Sequence, residues 1–541
     1  MKITGNIVDV HQRRIFYGEI TIKDGIIQAI TAKKGESAMY ILPGFVDAHV
    51  HVESSMLIPS EFARLAVVHG TVATVSDPHE IANVLGREGV DFMIENGRKT
   101  PFRFFFGAPS CVPATAFETA GASLDAEAVE ALLQSDEIMY LSEMMNYPGV
   151  ISSDAEVLKK IDAAHKHGKP VDGHAPGVTG EDARKYFAAG ISTDHECFTL
   201  EEGLEKVKLG VKILVREGSA AKNFEALLPL LHEYPGQVMF CSDDKHPDDL
   251  VAGHINQLAA RALRHGENLF DVLQAACVNA VEHYHLPVGL LRTGDSADFF
   301  VTGDMKDFVP EAVYIGGTLV AEHGSSMLPK VSCRPINQFN ISPKKPEEFE
   351  VRATSQRMRV IQAIEGQLVT GSFWAPPLVH EGFSVADTGR DILKFTVVNR
   401  YADAPPAVAF IHGFGFAKGA LASSVGHDSH NILAVGTSDA SIAQAVNLIV
   451  KNKGGISAVS SQREEMVLPL PVAGIMSGED GHVVAEKYSA INDFVQKTMS
   501  CPLKAPFMTL SFMALLVIPE LKLSDKGLFD GKAFQFVNLF E

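Results

Sequence analysis

Between residues 44 and 290 the sequence keeps one rhythm: apolar runs of four to seven residues alternate with stretches whose apolar residues recur at helical spacing. The runs end near His51, Ser76, Gly107, Glu143, His174, His195, Glu217 and Asp243, so successive ends lie 25, 31, 36, 31, 21, 22 and 26 residues apart. A strand, a helix and the turn into the next parallel strand need about 30 residues, fewer with short loops. Eight such units predict an α/β fold of the (β/α)8 barrel kind. The intervening helices are legible too. The spacing predicts one over Asp154–His167, with Val157, Ile161 and Ala164 on one face and Ser153 as N-cap. Another is predicted over Asp248–Gly266, with Leu250, Val251, His254, Leu258 and Ala262 at helical spacing.

The flanks differ. Residues 1–43 alternate short β-prone runs with turns, as in Ile20-Thr21-Ile22 before Lys23-Asp24-Gly25. The pattern returns after Gly289, where Gly294-Asp295-Ser296-Ala297-Asp298 leads into Phe299-Phe300-Val301, and the two flanks are expected to pair into one sheet outside the barrel. Pro343, Lys344, Lys345, Pro346, Glu347 and Glu348 read as a polar linker. Beyond it, strand-like Ile432–Gly436 followed by helix-like Ala440–Lys451 suggests a separate α+β domain.

Charge removes one class of function. Lys plus Arg is 47 and Asp plus Glu is 66, a balance of −19, which excludes a nucleic-acid binder acting through a global positive field. The six cysteines form no CxxC pair and read as free thiols of a reducing compartment. The first residues lack a signal-peptide core, and the longest apolar stretch, near Phe507–Ile518, is shorter than the ~20 residues of a membrane span and reads as buried core. A soluble, cytoplasmic protein with no membrane partner is expected.

The 21 histidines carry the chemical signal, because many stand just after apolar runs. His49 and His51 are two apart on a predicted strand, so both side chains share a face, and at the C-terminal end of a barrel strand that face opens on the active-site mouth. In isolation such a pair is equally a polar sheet end. Other run ends offer Glu143, His174, His195 and Asp243 in step with the eight-unit rhythm. Imidazole and carboxylate ligands suit zinc, iron or manganese. A bound metal brings the pKa of water toward neutrality, and a carboxylate beside it, for which Asp243 is the natural candidate, can take up the proton and pass it to a leaving group. A second string, Ser76-Asp77-Pro78-His79-Glu80, reads either as a capped Pro-containing turn or as a substrate or metal contact at the barrel mouth.

The ligand order resembles that of the amidohydrolase superfamily of TIM barrels. The longer strings PGFVDAHVHVESSM (43–56), VSDPHEIANVLG (75–86), GHAPG (173–177), STDHE (192–196), CSDDKHPDDL (241–250), GALASSVGHDSHNILAVGT (419–437) and LPLPVAGIMS (468–477) resemble the bacterial-type adenine deaminase family across essentially the whole chain. The resemblance implies a β-sandwich from residues 1–43 and 291–341, a metal-dependent barrel over 44–290 and a C-terminal α+β domain over 342–541. It implies hydrolysis of adenine to hypoxanthine and ammonia with two divalent metal ions, manganese or iron, with zinc also able to accept these ligands. Carried over, His49, His51 and Asp243 hold one metal, His174 and His195 the other, and Glu143 bridges. Many relatives bridge with a modified lysine, and Leu141–Met145 contains none. Asp243 doubles as general base, and His79, Glu80 or Asp77 positions the purine or protonates the departing amine. A homo-oligomer, a dimer, is the family expectation.

In the third domain Gly426–Asn431 is a polar loop before a strand. It reads either as a turn whose histidines are satisfied locally, or as a cover over the barrel mouth that supplies substrate contacts through His430. Two other functions compete: an amidohydrolase acting on another aminopurine or a cyclic amide, and a barrel scaffold without chemistry, which would lack several ligands. A nucleic-acid deaminase is disfavoured, since those zinc enzymes need a P-C-x-x-C string that is absent here.

Overall fold

The eight apolar runs are strands β1 (Phe45–Val50), β2 (Thr71–Ser76), β3 (Arg103–Ala108), β4 (Ile138–Met144), β5 (Val171–Gly173), β6 (Thr193–Asp194), β7 (Lys212–Arg216) and β8 (Val238–Cys241) in a computed structural model that describes residues 1–219, 221–460 and 464–541. β1 to β5 pair in parallel in sequence order, and so do β6 to β8. Two seams close the ring. Ser192 N donates to Val171 O at 2.9 Å between β5 and β6, and Asp243 N donates to His49 O at 2.9 Å between β8 and β1. Nearly every barrel-strand residue is buried, because the ring packs side chains inside and helices outside.

Two helical details differ from expectation. The helix Ala155–Lys166 is capped by Asp154, whose carboxylate accepts from Glu156 N and Val157 N, not by Ser153. Ser153 occupies a left-handed turn at φ 61°, so only the next residue has the extended backbone that an N-cap needs. The predicted helix over 248–266 is two helices, Pro247–Ala252 and Ile255–Arg264, interrupted by an extended Gly253. His254 at that break turns into the barrel. Its Nε2 lies 2.8 Å from Asp47 Oδ2 and its Nδ1 lies 2.8 Å from Thr71 Oγ1.

The flanks pair as expected. Tyr40–Pro43 lies antiparallel to Phe299–Thr302, which joins residues from both ends of the barrel region into one eight-stranded sheet around Ile7, Ile20, Ile22, Ile41 and Phe299. Asp298 secures the turn before it, accepting from Gly289 N, Gly316 N and Arg103 Nη2.

The C-terminal unit is built on a second eight-stranded sheet, with Ile392–Val398 buried along its length and helix Asp439–Asn452 packed on one face. The Pro-rich 343–348 segment is docked rather than loose: Lys344 is buried, with Nζ 2.6 Å from Asp403 Oδ1. The apolar core runs unbroken from the barrel into this unit. The 507–518 stretch contains most of a short α-helix, Pro506–Ser511, and one 3-10 turn of helix, Phe512–Ala514, and its Phe512, Leu515, Val517 and Ile518 line the barrel mouth. Among the described residues no helix is long and apolar enough to cross a membrane. All six cysteines are free.

Candidate active site

The C-terminal ends of the parallel strands gather the side chains picked out by the rhythm. Alternation on β1 puts His49 and His51 on the inner face, where their Nε2 atoms lie 3.2 Å apart. Asp243 follows β8 in the left-handed region, at φ 54°, which short polar residues tolerate best and which bends the carboxylate into the mouth. Its Oδ1 lies 3.5 Å from His49 Nε2 and 3.2 Å from His51 Nε2. Asp47 fastens this corner. It accepts from His49 N and Ser242 N through Oδ1, and from Ser242 Oγ through Oδ2, which also faces His254.

Glu143, at the end of β4, stands between two histidine pairs. Oε1 lies 3.4 Å from both His51 Nε2 and His79 Nδ1, and Oε2 lies 2.7 Å from His174 Nδ1 and 3.0 Å from His195 Nε2. The ring of His195 stacks on that of His49 at 4.2 Å. Donor atoms of His49, His195 and Asp243 lie within 4.8 Å of one another, as do those of Glu143, His174 and His195, and of His51, Asp77, His79 and Glu143. This buried group is able to bind metal. Hydrogen bonds alone do not satisfy it, because the facing imidazole nitrogens of His49 and His51 and the Asp243 oxygen compete for one proton, and His49 Nδ1 has no hydrogen-bond partner among the described residues. Imidazole nitrogens and carboxylate oxygens converging in this way are the donor set of a borderline divalent cation.

Behind Asp243 stand Arg216 and Glu196, two residues that the sequence does not single out. Arg216, the last residue of β7, donates from Nη1 to Glu196 Oε1 at 2.5 Å and to Asp243 Oδ2 at 2.6 Å. The sequence rhythm places the end of the seventh run at Glu217, but Glu217 pairs with Arg261 and it is Arg216 that faces the mouth. Glu196 directly follows His195 in the STDHE string, so adjacency was its only signal. Burial pushes the Asp243 carboxyl up, but Arg216, His49 and His51 outweigh it and hold it well below the usual carboxylate range. The same contest, decided by His174 and His195, keeps Glu143 low.

The 77–80 string and the third-domain loop meet. Asp77 Oδ2 lies 3.0 Å from His79 Nδ1, and Glu80 takes His427 on Oε1 and His430 on Oε2. Asp428 Oδ1 lies 3.7 Å from His79 Nε2. The loop therefore covers the barrel mouth, and His430 reaches it through Glu80. Burial pulls His427 down, but Glu80 and Asp244 raise it to about 9, whereas burial keeps His430 lowered. His427 adds to the lowering of His430, because two adjacent imidazolium ions repel. His427 and Asp428 were missed as contacts although they belong to the same string, and Asp244, which accepts from Ser54 Oγ at 2.5 Å, was missed beside Asp243.

Above this polar floor lies an apolar wall of Met145, Leu368, Phe512, Leu515, Val517 and Ile518. The Phe512 ring lies flat on His427, with centroids 4.8 Å apart and planes within 6°.

Residues 40–320 match the amidohydrolase family, and residues 367–535 match the adenine deaminase C-terminal domain. The chain is 55% identical to the adenine deaminase of Salinibacter ruber over 99% of its own length and 98% of that protein's. It is 54% identical to the adenine deaminase of Sulfurovum sp. strain NBC37-1, covering 99% of each, and 51% identical to that of Methanosarcina mazei, covering 100% of this chain and 99% of the other. The chain belongs to the adenine deaminase family. Every contribution of the C-terminal unit to the mouth described above, from Leu368 through His427, Asp428 and His430 to Ile518, falls inside the segment matching the adenine deaminase C-terminal domain. Among solved structures, a beta-aspartyl dipeptidase of Fervidobacterium islandicum AW-1 aligns at a TM-score of 0.47 and 15% identity, over 60% of this chain and 98% of that one.

Proposed function

We propose that the chain hydrolyses adenine to hypoxanthine and ammonia with the help of two divalent cations, manganese or iron, at the C-terminal end of the barrel. The observation that carries this reading is the full-length likeness to adenine deaminases, joined to a buried donor set of the right chemistry. In this reading His49, His51 and Asp243 would hold one cation and His174 and His195 the other, with Glu143 available as a ligand to both. The cations, when bound, supply Lewis acidity that brings a water toward deprotonation at neutral pH.

The protein's own groups then move protons and exclude water. Water adds to C6 of adenine, and the C6 amine departs as ammonia after gaining a proton. Asp243 accepts the water's proton on the carboxylate that Arg216 steadies and returns it to the amine. Asp77, His79 and Glu80 line the other side of the mouth, where the Glu80 cluster with His427 and His430 positions the purine edge and steers the proton to the leaving nitrogen. The apolar wall suits the flat face of a neutral base. No phosphate needs a partner, so the acidic balance is no obstacle.

The division into units 1–43 with 291–341, 44–290 and 342–541, a homodimer and a cytoplasmic location belong to the same proposal. The test is metal analysis of the freshly purified protein together with ammonia release from adenine, guanine, cytosine and a cyclic ureide measured side by side. Near two metals per chain and turnover confined to adenine are expected. Turnover of another aminopurine or of the ureide in preference to adenine would favour the alternative amidohydrolase.

A further inference from the structure

Lys522 lies on the strand Leu521–Ser524 of the C-terminal unit, and its side chain is wholly buried. Its Nζ donates to two backbone carbonyls, Leu368 O at 2.7 Å and Phe512 O at 2.9 Å. No carboxylate joins them among the described contacts, and burial alone lowers the ammonium to about 7. Burying a cationic group against neutral acceptors is unfavourable compared with packing an aliphatic chain there. Its two hydrogen bonds join segments far apart in sequence, so the role of Lys522 lies in what it holds.

Both acceptors belong to the apolar wall of the site. Leu368 and Phe512 come from segments far apart in sequence, and each also lines the mouth. The Leu368 segment is already laid alongside the Lys522 strand: Thr370 N donates to Pro519 O, and Thr370 Oγ1 donates to Leu521 O at 2.9 Å. Phe512 in turn lies flat on His427, which is paired with Glu80. A chain of contacts therefore leads from Lys522 through Phe512 to the polar floor, although Lys522 itself does not line the pocket.

We propose that Lys522 is a positioning residue for the purine: it ties Leu368 and Phe512 into one apolar wall at a fixed height above the Glu80 cluster. This rests on the adenine-deaminase reading. The neighbouring strand Gly527–Asp530 and the hairpin turn make the mount rigid, since Asp525 Oδ1 accepts from Thr119 N at 2.8 Å and Ser524 Oγ donates to Phe117 O at 2.8 Å, both in the segment that follows β3.

The test is a double-mutant cycle of Lys522→Met and Phe512→Leu in the metal-loaded full chain. Lys522→Met keeps the length and apolar stem but removes both donors. It is expected to raise KM for adenine about tenfold, with kcat within about threefold of the parent and metal content unchanged, as loss of an interaction common to ground and transition states does. The two substitutions are expected to be non-additive, the double variant being no worse than Phe512→Leu alone, because Lys522 acts through Phe512. If Lys522→Met does not fold, Lys522→Gln replaces it. Its amide keeps N–H donors without a charge but is too short to reach both carbonyls, and a rise in KM of at least about threefold is expected. Unchanged KM in whichever variant folds, or effects that simply multiply in the double variant, would overturn the proposal. A parent enzyme that releases no ammonia from adenine would instead sink the functional reading beneath it, so the two failures are distinguishable.

Discussion

The loops bearing His174 and His195 are stitched together by one buried lysine, and removing it has consequences that can be worked out. Lys206 Nζ donates to Asp194 Oδ2 at 2.5 Å, Glu202 Oε1 at 2.6 Å and Ala175 O at 2.7 Å, which uses all three of its N–H groups in a fully buried position. Asp194 precedes His195, and Ala175 follows His174. Lys206→Met would leave two buried carboxylates facing each other without a cation. Breaking one side of a buried pair in this way costs about 3–5 kcal/mol. The pH dependence gives the cause away. In the parent, burial raises the Asp194 carboxyl but Lys206 outweighs it and holds it low, so this term stabilises the fold above the unfolded value of about 3.9 and fades as pH falls through the folded one. In Lys206→Met the balance reverses. The unpaired Asp194 titrates above its unfolded value, the folded state binds the extra proton, and the penalty grows as pH rises. Urea midpoints of the metal-free protein should therefore fall more at pH 8 than at pH 5.5. Metal affinity, read by chelator competition, should drop by about 10–100-fold through disorder of the two histidine loops. A variant with parental metal affinity, or one whose loss of stability is the same at both pH values, would refute the reasoning.

Glu143→Gln should cost at least one metal per chain by elemental analysis and lower kcat/KM for adenine by about 10³-fold or more, while circular dichroism stays parental; full metal content would contradict Glu143 as a shared ligand. His430→Ala should lower kcat/KM by about 10–100-fold by freeing Glu80, and unchanged steady-state kinetics would remove the third-domain loop from the chemistry. Burial pushes His69, whose Nε2 lies 2.9 Å from Leu250 O, down to about 4. The unfolded chain therefore takes up that proton first, stability is full above about 6.5 and is lost as pH falls toward 4, with a slope of up to ~1.4 kcal/mol per pH unit. His69→Gln should flatten urea midpoints across that window, and profiles parallel to the parent would exclude His69 as the source.

What could be read from the sequence, and what could not, follows the range of the interactions. His49 and His51 were legible because a strand's period of two fixes which side chains share a face, and the eight run ends fixed where the faces open. The flanking sheet was legible from its turn residues, which the Asp298 contacts explain. Arg216 was missed because an error of one residue in a strand end exchanges the inner face for the outer. His254 was missed because helical spacing continues through Gly253, whereas the Asp47 carboxylate that draws His254 inward lies 207 residues away. The Glu80–His427 contact spans 347 residues and has no local signature. The resemblance of strings 75–86 and 419–437 to one family pointed to a common site, but only the fold shows that they touch.

The acidity of the mouth explains why these pieces occur together. Asp77, Glu80, Glu143, Glu196, Asp243 and Asp428 are buried around the mouth with Asp244 half-buried beside them, and among the described residues Arg216 is the one Arg or Lys side chain lining it. Carboxylates out of water need a cation, a proton or several donors each. Arg216 serves Glu196 and one oxygen of Asp243, and His427 serves Glu80. That leaves Glu143 and the other Asp243 oxygen facing only imidazoles. Protonating those imidazoles would set cations against one another, since His49 and His51 meet nitrogen to nitrogen and His195 stacks on His49. Bound divalent cations would resolve both conflicts, because they would neutralise the carboxylates and leave the imidazoles uncharged as ligands. The C-terminal unit then has a physical role as well as a geometric one. By closing the mouth with an apolar wall and a histidine-bearing loop, it limits the water that can screen that arrangement, so the charge of any cation held there would act on the bound molecule rather than on solvent.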